Sequence, residues 1–226
     1  MNQKTGSDKI PVEDQAKTGK DITELLESNK RQLTGWQFWI IAGIALAASS
    51  FHLYTAAFGL FFAMKQRAIH WMMMGAIIFL LYPFSRKRSR DRIDIWDWAL
   101  AALLVAGCLN ILLNWGAITA REGRSIPSDI YMGIAMTFLV IEATRRTVGW
   151  PLPIVALVAM SYAVFGRSLP GMLKHPGFPV SELAPFLYLR TDGIFGVPLG
   201  VSATFIFLFV LFRSEERRVG KECRSR

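Results

Sequence analysis

The sequence predicts an all-α polytopic membrane protein with about six transmembrane helices and a cytosolic N terminus. Three observations predict it. Hydrophobic residues make up 52% of the 226-residue chain and charged residues 19%, a balance more apolar than a soluble domain of that length carries. Six runs, 36–64, 68–84, 95–119, 130–148, 150–165 and 193–212, are each near the length that crosses a bilayer. All seven Trp (Trp36, Trp39, Trp71, Trp96, Trp98, Trp115 and Trp150) sit near the ends of those runs, as interfacial belt residues do.

Residues 1–35 form a polar leader, in which Asp21 and Glu24 make a capping pair ahead of Leu25, Leu26 and Leu33. So long a polar stretch before the first apolar run argues against a cleaved signal peptide, and the first span is expected to be retained. Residues 36–166 hold five of the six spans. Residues 167–192, rich in Pro and Gly, are expected to form an external loop before the last span at 193–212. From Arg213 to Arg226 the chain has no interfacial aromatic, no helix stop and no apolar face. That tail resembles the in-frame translation of a short-read sequencing adapter, so we expect it to be an artefact and the natural protein to be truncated here. Without it the formal charge falls from +9 to +6.

Charge placement orients the chain. Thirteen Lys and Arg lie before span one, after span two and after span four, against seven (Lys65, Arg67, Arg121, Arg124, Arg167, Lys174 and Arg190) on the opposite sides. The positive-inside rule then puts the N terminus in the cytosol and 167–192 outside. Basic residues confined to loops point to anionic lipid contact and the bilayer as partner, not to nucleic acid. With Cys223 in the tail, Cys108 stands alone, which leaves no disulfide or cysteine metal cluster to form.

Asn110 and Asn114 are four apart on the third span, so both amides share one helix face at membrane depth. Either they bond to a neighbouring helix, which is the favoured reading, or they line a substrate path. Glu142, Arg145 and Arg146 have the i,i+3 and i,i+4 spacing of a self-neutralising clamp at an interface. They are expected to fix topology and a subunit interface. Asp94 and Asp97 open span three, where acids suit the helix N-terminal dipole, and read as caps. His52, His70 and His175 fall on separate segments without partners at ligand spacing, so no metal site is expected, and His70 reads as solvated. Gly193, Gly196, Pro198 and Gly200 interrupt a helix that Ser202 and Thr204 continue. Such a break can build an ion or substrate site, or be a plain lead-in loop with close helix packing; both readings stay open. No triad, nucleophile elbow, phosphate-binding loop or dinucleotide fingerprint occurs, so no enzyme is expected.

Several linked motifs resemble the fused permeases of the tripartite ATP-independent periplasmic (TRAP) transporters. They are Gln66-Arg-Ala-Ile-His70, Pro127-Ser-Asp129, Ile141-Glu-Ala-Thr-Arg-Arg-Thr-Val-Gly149, Pro170-Gly171 with His175-Pro-Gly-Phe178, and Tyr188-Leu-Arg-Thr-Asp-Gly-Ile-Phe-Gly-Val-Pro-Leu-Gly-Val-Ser-Ala-Thr204. The resemblance runs from about Trp36 to Phe212. It implies a secondary transporter of the bacterial inner membrane, fed by a periplasmic substrate-binding protein of the TAXI type and driven by an ion gradient, usually sodium. In that picture 36–166 is similar to the small membrane subunit and 193–212 to the first helix of the large one. The family's ion-site segments and the remainder of the large subunit are absent, so this chain alone is not expected to transport. The alternative is a separate scaffold or docking module for a large permease subunit. No cofactor is implied.

Overall fold

A computed structural model describes residues 30–31, 33, 35–84, 92–168 and 170–214. The Asp21–Glu24 capping pair, most of the basic run after span two and nearly all of the tail lie outside the described residues. Those described are helical, with no strand among them.

Among the described residues seven helices follow in order. Helix α1 (Trp36–Phe58) carries no charged residue and is bounded by Gly35 at φ 73° and Gly59 at φ 114°. That left-handed backbone suits glycine. Helix α2 (Ala63–Leu81) begins after four residues, so α1 and α2 form a tight antiparallel pair. It starts earlier than the predicted 68, because the helix runs through Lys65 and Arg67, whose charge ended the apolar run. Helix α3 (Ile95–Ala120) packs extensively against α2.

Helix α4 (Pro127–Thr147) has Pro at its first position and Asp129 reaching back to the Ile126 N–H at 3.1 Å, which satisfies a donor left over at the helix start. Gly149 at φ 100° ends that helix, and α5 (Pro151–Phe165) returns. Two short 3₁₀ turns, Gly166–Ser168 and Gly171–Leu173, lead to α6 (Val180–Leu189), and α7 (Val197–Ser214) closes the order.

Helix α6 corrects the expectation of a loop over 167–192. Only ten residues long and containing Pro185, it has too short an apolar run to register as a span, yet Ala184, Pro185 and Tyr188 are buried against the bundle. Close approach is what makes this possible. A Cβ on Gly133 of α4 would collide with the Ala184 carbonyl. Between α3 and α4 the core is Leu104, Cys108, Ile111, Met136 and Leu139, joined by Phe79 and Leu80 of α2.

Four helices, α1, α3, α5 with its 3₁₀ extension, and α7, are long and apolar enough to cross a membrane. Helices α2 and α4 are the more polar pair, and they carry His70, Asp129, Glu142 and Arg146 among the buried ionisable groups. In contrast, just 6% of the α7 window and 11% of the α5 window is buried within the chain. Lipid or another protein must cover those apolar faces.

Candidate functional site

Three polar constellations stand out, and each joins helices distant in sequence. The first sits where α2 and α4 end and α3 begins. Arg146 Nε donates to Glu142 Oε1 at 2.7 Å and its Nη1 to Asp97 Oδ1 at 2.7 Å. Arg31, from the residues before α1, donates to the other Asp97 oxygen and, at 3.1 Å, to the Leu80 carbonyl. Arg145 holds Glu142 in a two-point grip at 2.7 and 2.8 Å and lies over the Phe84 ring. Three guanidiniums thus meet Asp97 and Glu142, with Asp94 at 3.8 Å from Arg31. The same arginines reach the carbonyls of Tyr82 and Phe84, which follow α2 where no intrahelical donor remains.

This geometry brings Glu142, Arg145 and Arg146 together, as their spacing predicts. It overturns the reading of Asp97 as a cap. Asp97 is 0% exposed, makes no cap to the helix start, and bridges Arg31 to Arg146. The reason is energetic: a carboxylate enclosed by the bundle is tolerated only with cationic, hydrogen-bonding partners around it. Arg31, assigned to the leader by composition, belongs to the bundle.

The second constellation contains the predicted Asn pair. Tyr188 of α6 donates from its hydroxyl to the Gly107 carbonyl at 2.6 Å and accepts from Asn110 Nδ2 at 3.1 Å. Asn114, exposed, donates to Asn110 Oδ1 at 2.8 Å. Asn110 therefore serves an interhelical bond, and Asn114 sits outside it. Nothing in the sequence around 188 pairs with position 110, so Tyr188 was not foreseen.

The third lies at the helix break. Residues 191–196 form the turn, and Pro198 occupies the first turn of α7, where its missing N–H costs nothing. Gly193 folds against Leu187, whose carbonyl accepts from Ile194 N–H at 2.8 Å. The Gly196 N–H bonds to the Gly193 carbonyl at 3.0 Å within the same turn. Arg67 of α2 donates to the Phe195 carbonyl at 2.7 Å and presses its guanidinium against Gly200. Thr204 donates to the Gly200 carbonyl at 3.0 Å, and Ser202 meets His70 Nε2 at 3.3 Å. His70 is buried, not solvated, because α7 covers it and His52 of α1 faces it at 2.9 Å. The sequence signal was the polar run Lys65, Gln66, Arg67 and His70 at the start of a helix that is apolar beyond it.

At the opposite end of the bundle from Asp97, a cleft of about 940 Å³ opens between the α3–α4 turn and α6. Arg121, Arg124 and Arg190 line it with Glu182 and Asp192. Arg121 is partly committed, donating to Asp129 at 2.9 Å. Among the described residues no group of three His, Cys, Asp or Glu is placed to hold a metal ion.

The class these features define is a helical protein with apolar helices fit for a membrane and buried polar joints between them. No protein-family model, curated protein or solved structure matches the chain.

Proposed function

We propose that the chain is the N-terminal part of a fused TRAP permease of the TAXI type, with six crossings and a cytosolic N terminus in a bacterial inner membrane. One observation carries the proposal. Two of the family-like motifs, separated by well over a hundred residues, meet in space: Arg67 bonds to Phe195 and His70 to Ser202. In a fused permease this is a contact between the small-subunit part and the first helix of the large subunit, and a chain that joins the two needs such a seam. The bare apolar faces of α5 and α7 suit a missing partner subunit.

On this reading α1 to α4 are scaffold, held by the Asp97 cluster. The arginine-lined cleft and the 167–192 segment then face the periplasmic binding protein, and recognition of substrate and sodium belongs to the missing remainder. Sequencing the source gene across the codon for Phe212 tests it. An open frame continuing into further apolar hairpins supports the permease; a genomic stop after Arg226 sinks it and leaves a free-standing scaffold.

A further inference from the structure

His52 and His70 are 1% and 4% exposed, and three hydrogen bonds engage all four of their ring nitrogens. His52 Nδ1 meets the Ala48 carbonyl at 2.6 Å, His52 Nε2 meets His70 Nδ1 at 2.9 Å, and His70 Nε2 meets Ser202 Oγ at 3.3 Å. Chemistry gives this chain a direction. A carbonyl only accepts, so His52 Nδ1 carries a hydrogen; neutral His52 then accepts at Nε2, which places a hydrogen on His70 Nδ1. Neutral His70 in turn accepts at Nε2 from the Ser202 hydroxyl. Both rings are held in the Nδ1–H tautomer.

The surroundings restrict what the pair can bind. Helix α1 carries no charged residue, α7 carries none before Arg213, and α2 carries Lys65 and Arg67 but no acid. Arg67, one turn before His70, is directed to Phe195 and Gly200. Thr55 and Gln66, bonded to each other at 3.3 Å, are the uncharged polar neighbours. With no anionic oxygen on the three helices, a metal or alkali cation has no carboxylate there to balance its charge. What remains favourable to positive charge is aromatic. Phe207 stacks on His52 at 4.0 Å between centroids, and Phe51 meets its edge at 5.2 Å. Ser202 and Phe207 are joined by a wide π-type turn, the Phe207 N–H bonding to the Ser202 carbonyl, so one turn of α7 touches both ends of the pair.

We propose that His52, His70 and Ser202 form a one-proton relay inside the bundle, loaded from the Ser202 side and sensed by α7. A proton from water adds to the lone pair of His70 Nε2 as the Ser202 hydroxyl turns from donor to acceptor. His70 Nδ1 releases its own proton to His52 Nε2. His70 is left neutral with Nε2 protonated, and His52 becomes an imidazolium against Phe207. One proton enters, one positive charge results, and no other bond changes. A cavity of about 270 Å³ lined by Phe61, Gln66, Arg67, Gly200, Thr204 and Phe205 lies between α2 and α7 on a neighbouring face and does not include Ser202. The relay stands whether or not the chain belongs to a permease.

The test is ¹⁵N NMR of the full chain, labelled at histidine and held in lipid nanodiscs, from pH 9 to pH 4. At high pH His52 and His70 should both show neutral Nδ1–H rings. On acidification they should change together with one midpoint, the His70 tautomer reversing as His52 becomes charged. Phe207→Leu should lower that midpoint by about 0.4–1.5 pH units, and His52→Gln should displace the His70 midpoint by about one unit or more. An Nε2–H tautomer on either ring at high pH, two independent midpoints, or rings still neutral at pH 4 in the folded protein would each overturn the relay. The tautomer readout uses the unaltered chain, so it does not depend on any variant folding.

Discussion

Arg146 Nη1 lies 2.7 Å from Asp97 Oδ1, with both side chains fully enclosed although 49 residues separate them. Because the other Asp97 oxygen serves Arg31, one carboxylate ties the chain before α1 to the end of α4. Asp97→Ala leaves two buried guanidiniums short of an acid and is expected to cost about 3–5 kcal/mol, the range for breaking a buried pair. Arg146→Met should cost a similar amount. The double variant should cost clearly less than the sum, since the second change removes the charge that the first left uncompensated. Thermal unfolding of the three variants in one detergent measures this; additive losses would show that the pair does not act as a unit.

Asn110 and Asn114 separate into a bonded and a peripheral residue through Tyr188. Tyr188→Phe removes the donor to the Gly107 carbonyl and the acceptor for Asn110, and should lower stability by about 1–3 kcal/mol. Asn110→Leu should lose a comparable amount. Asn114→Leu, on an exposed face, should stay within about 0.5 kcal/mol. Equal losses at positions 110 and 114 would restore the reading of a shared polar lining.

Glycine contacts make a sharper contrast. Gly133→Ala drives a methyl into the backbone of Ala184, which cannot swing aside as a side chain can, whereas Gly43 has nothing within 4 Å of an added Cβ. The first substitution should cost about 1–3 kcal/mol or more, and the second should be neutral or slightly stabilising. Faster trypsin cleavage at Arg190 in Gly133→Ala alone would report that α6 has come away from α4. Equal cleavage of the two variants would contradict the packing.

What the sequence made legible follows from the range of each signal. Hydropathy located α3 and α5 closely, because those helices are apolar around their circumference, but it ran span one past its end at Phe58, since the turn that follows is itself apolar. It misjudged the start of α2 and overlooked α6, where buried polar contacts or a short length hide the helix. Glu142, Arg145 and Arg146 were recognisable since their spacing is local. Asp97, Arg31, Tyr188 and the His52–His70 pair were not, because each takes its meaning from a partner at least 18 residues away. Only α2 gave advance notice: a Gln, an Arg and a His close together at the start of a helix that is otherwise largely buried or apolar require partners somewhere.

Topology is the expectation with the widest consequences, and two positions decide it. The α3–α4 turn at Ser125 and the loop at Lys174 are separated by α4 and α5, so they share one side if both helices cross. With thirteen basic residues on the Arg146 side against seven on the other, that shared side is expected outside the cell. Cys108 is buried and gives little background, while Cys223 is first replaced by Ser. In intact cells a membrane-impermeant maleimide should label Ser125→Cys and Lys174→Cys, and should reach Val148→Cys only after permeabilisation. Labelling of Ser125→Cys and Lys174→Cys from opposite sides would remove one crossing and with it the six-span count. Labelling of Val148→Cys alone in intact cells would keep the count but invert the chain, placing the arginine-lined cleft in the cytosol, where no periplasmic binding protein could reach it.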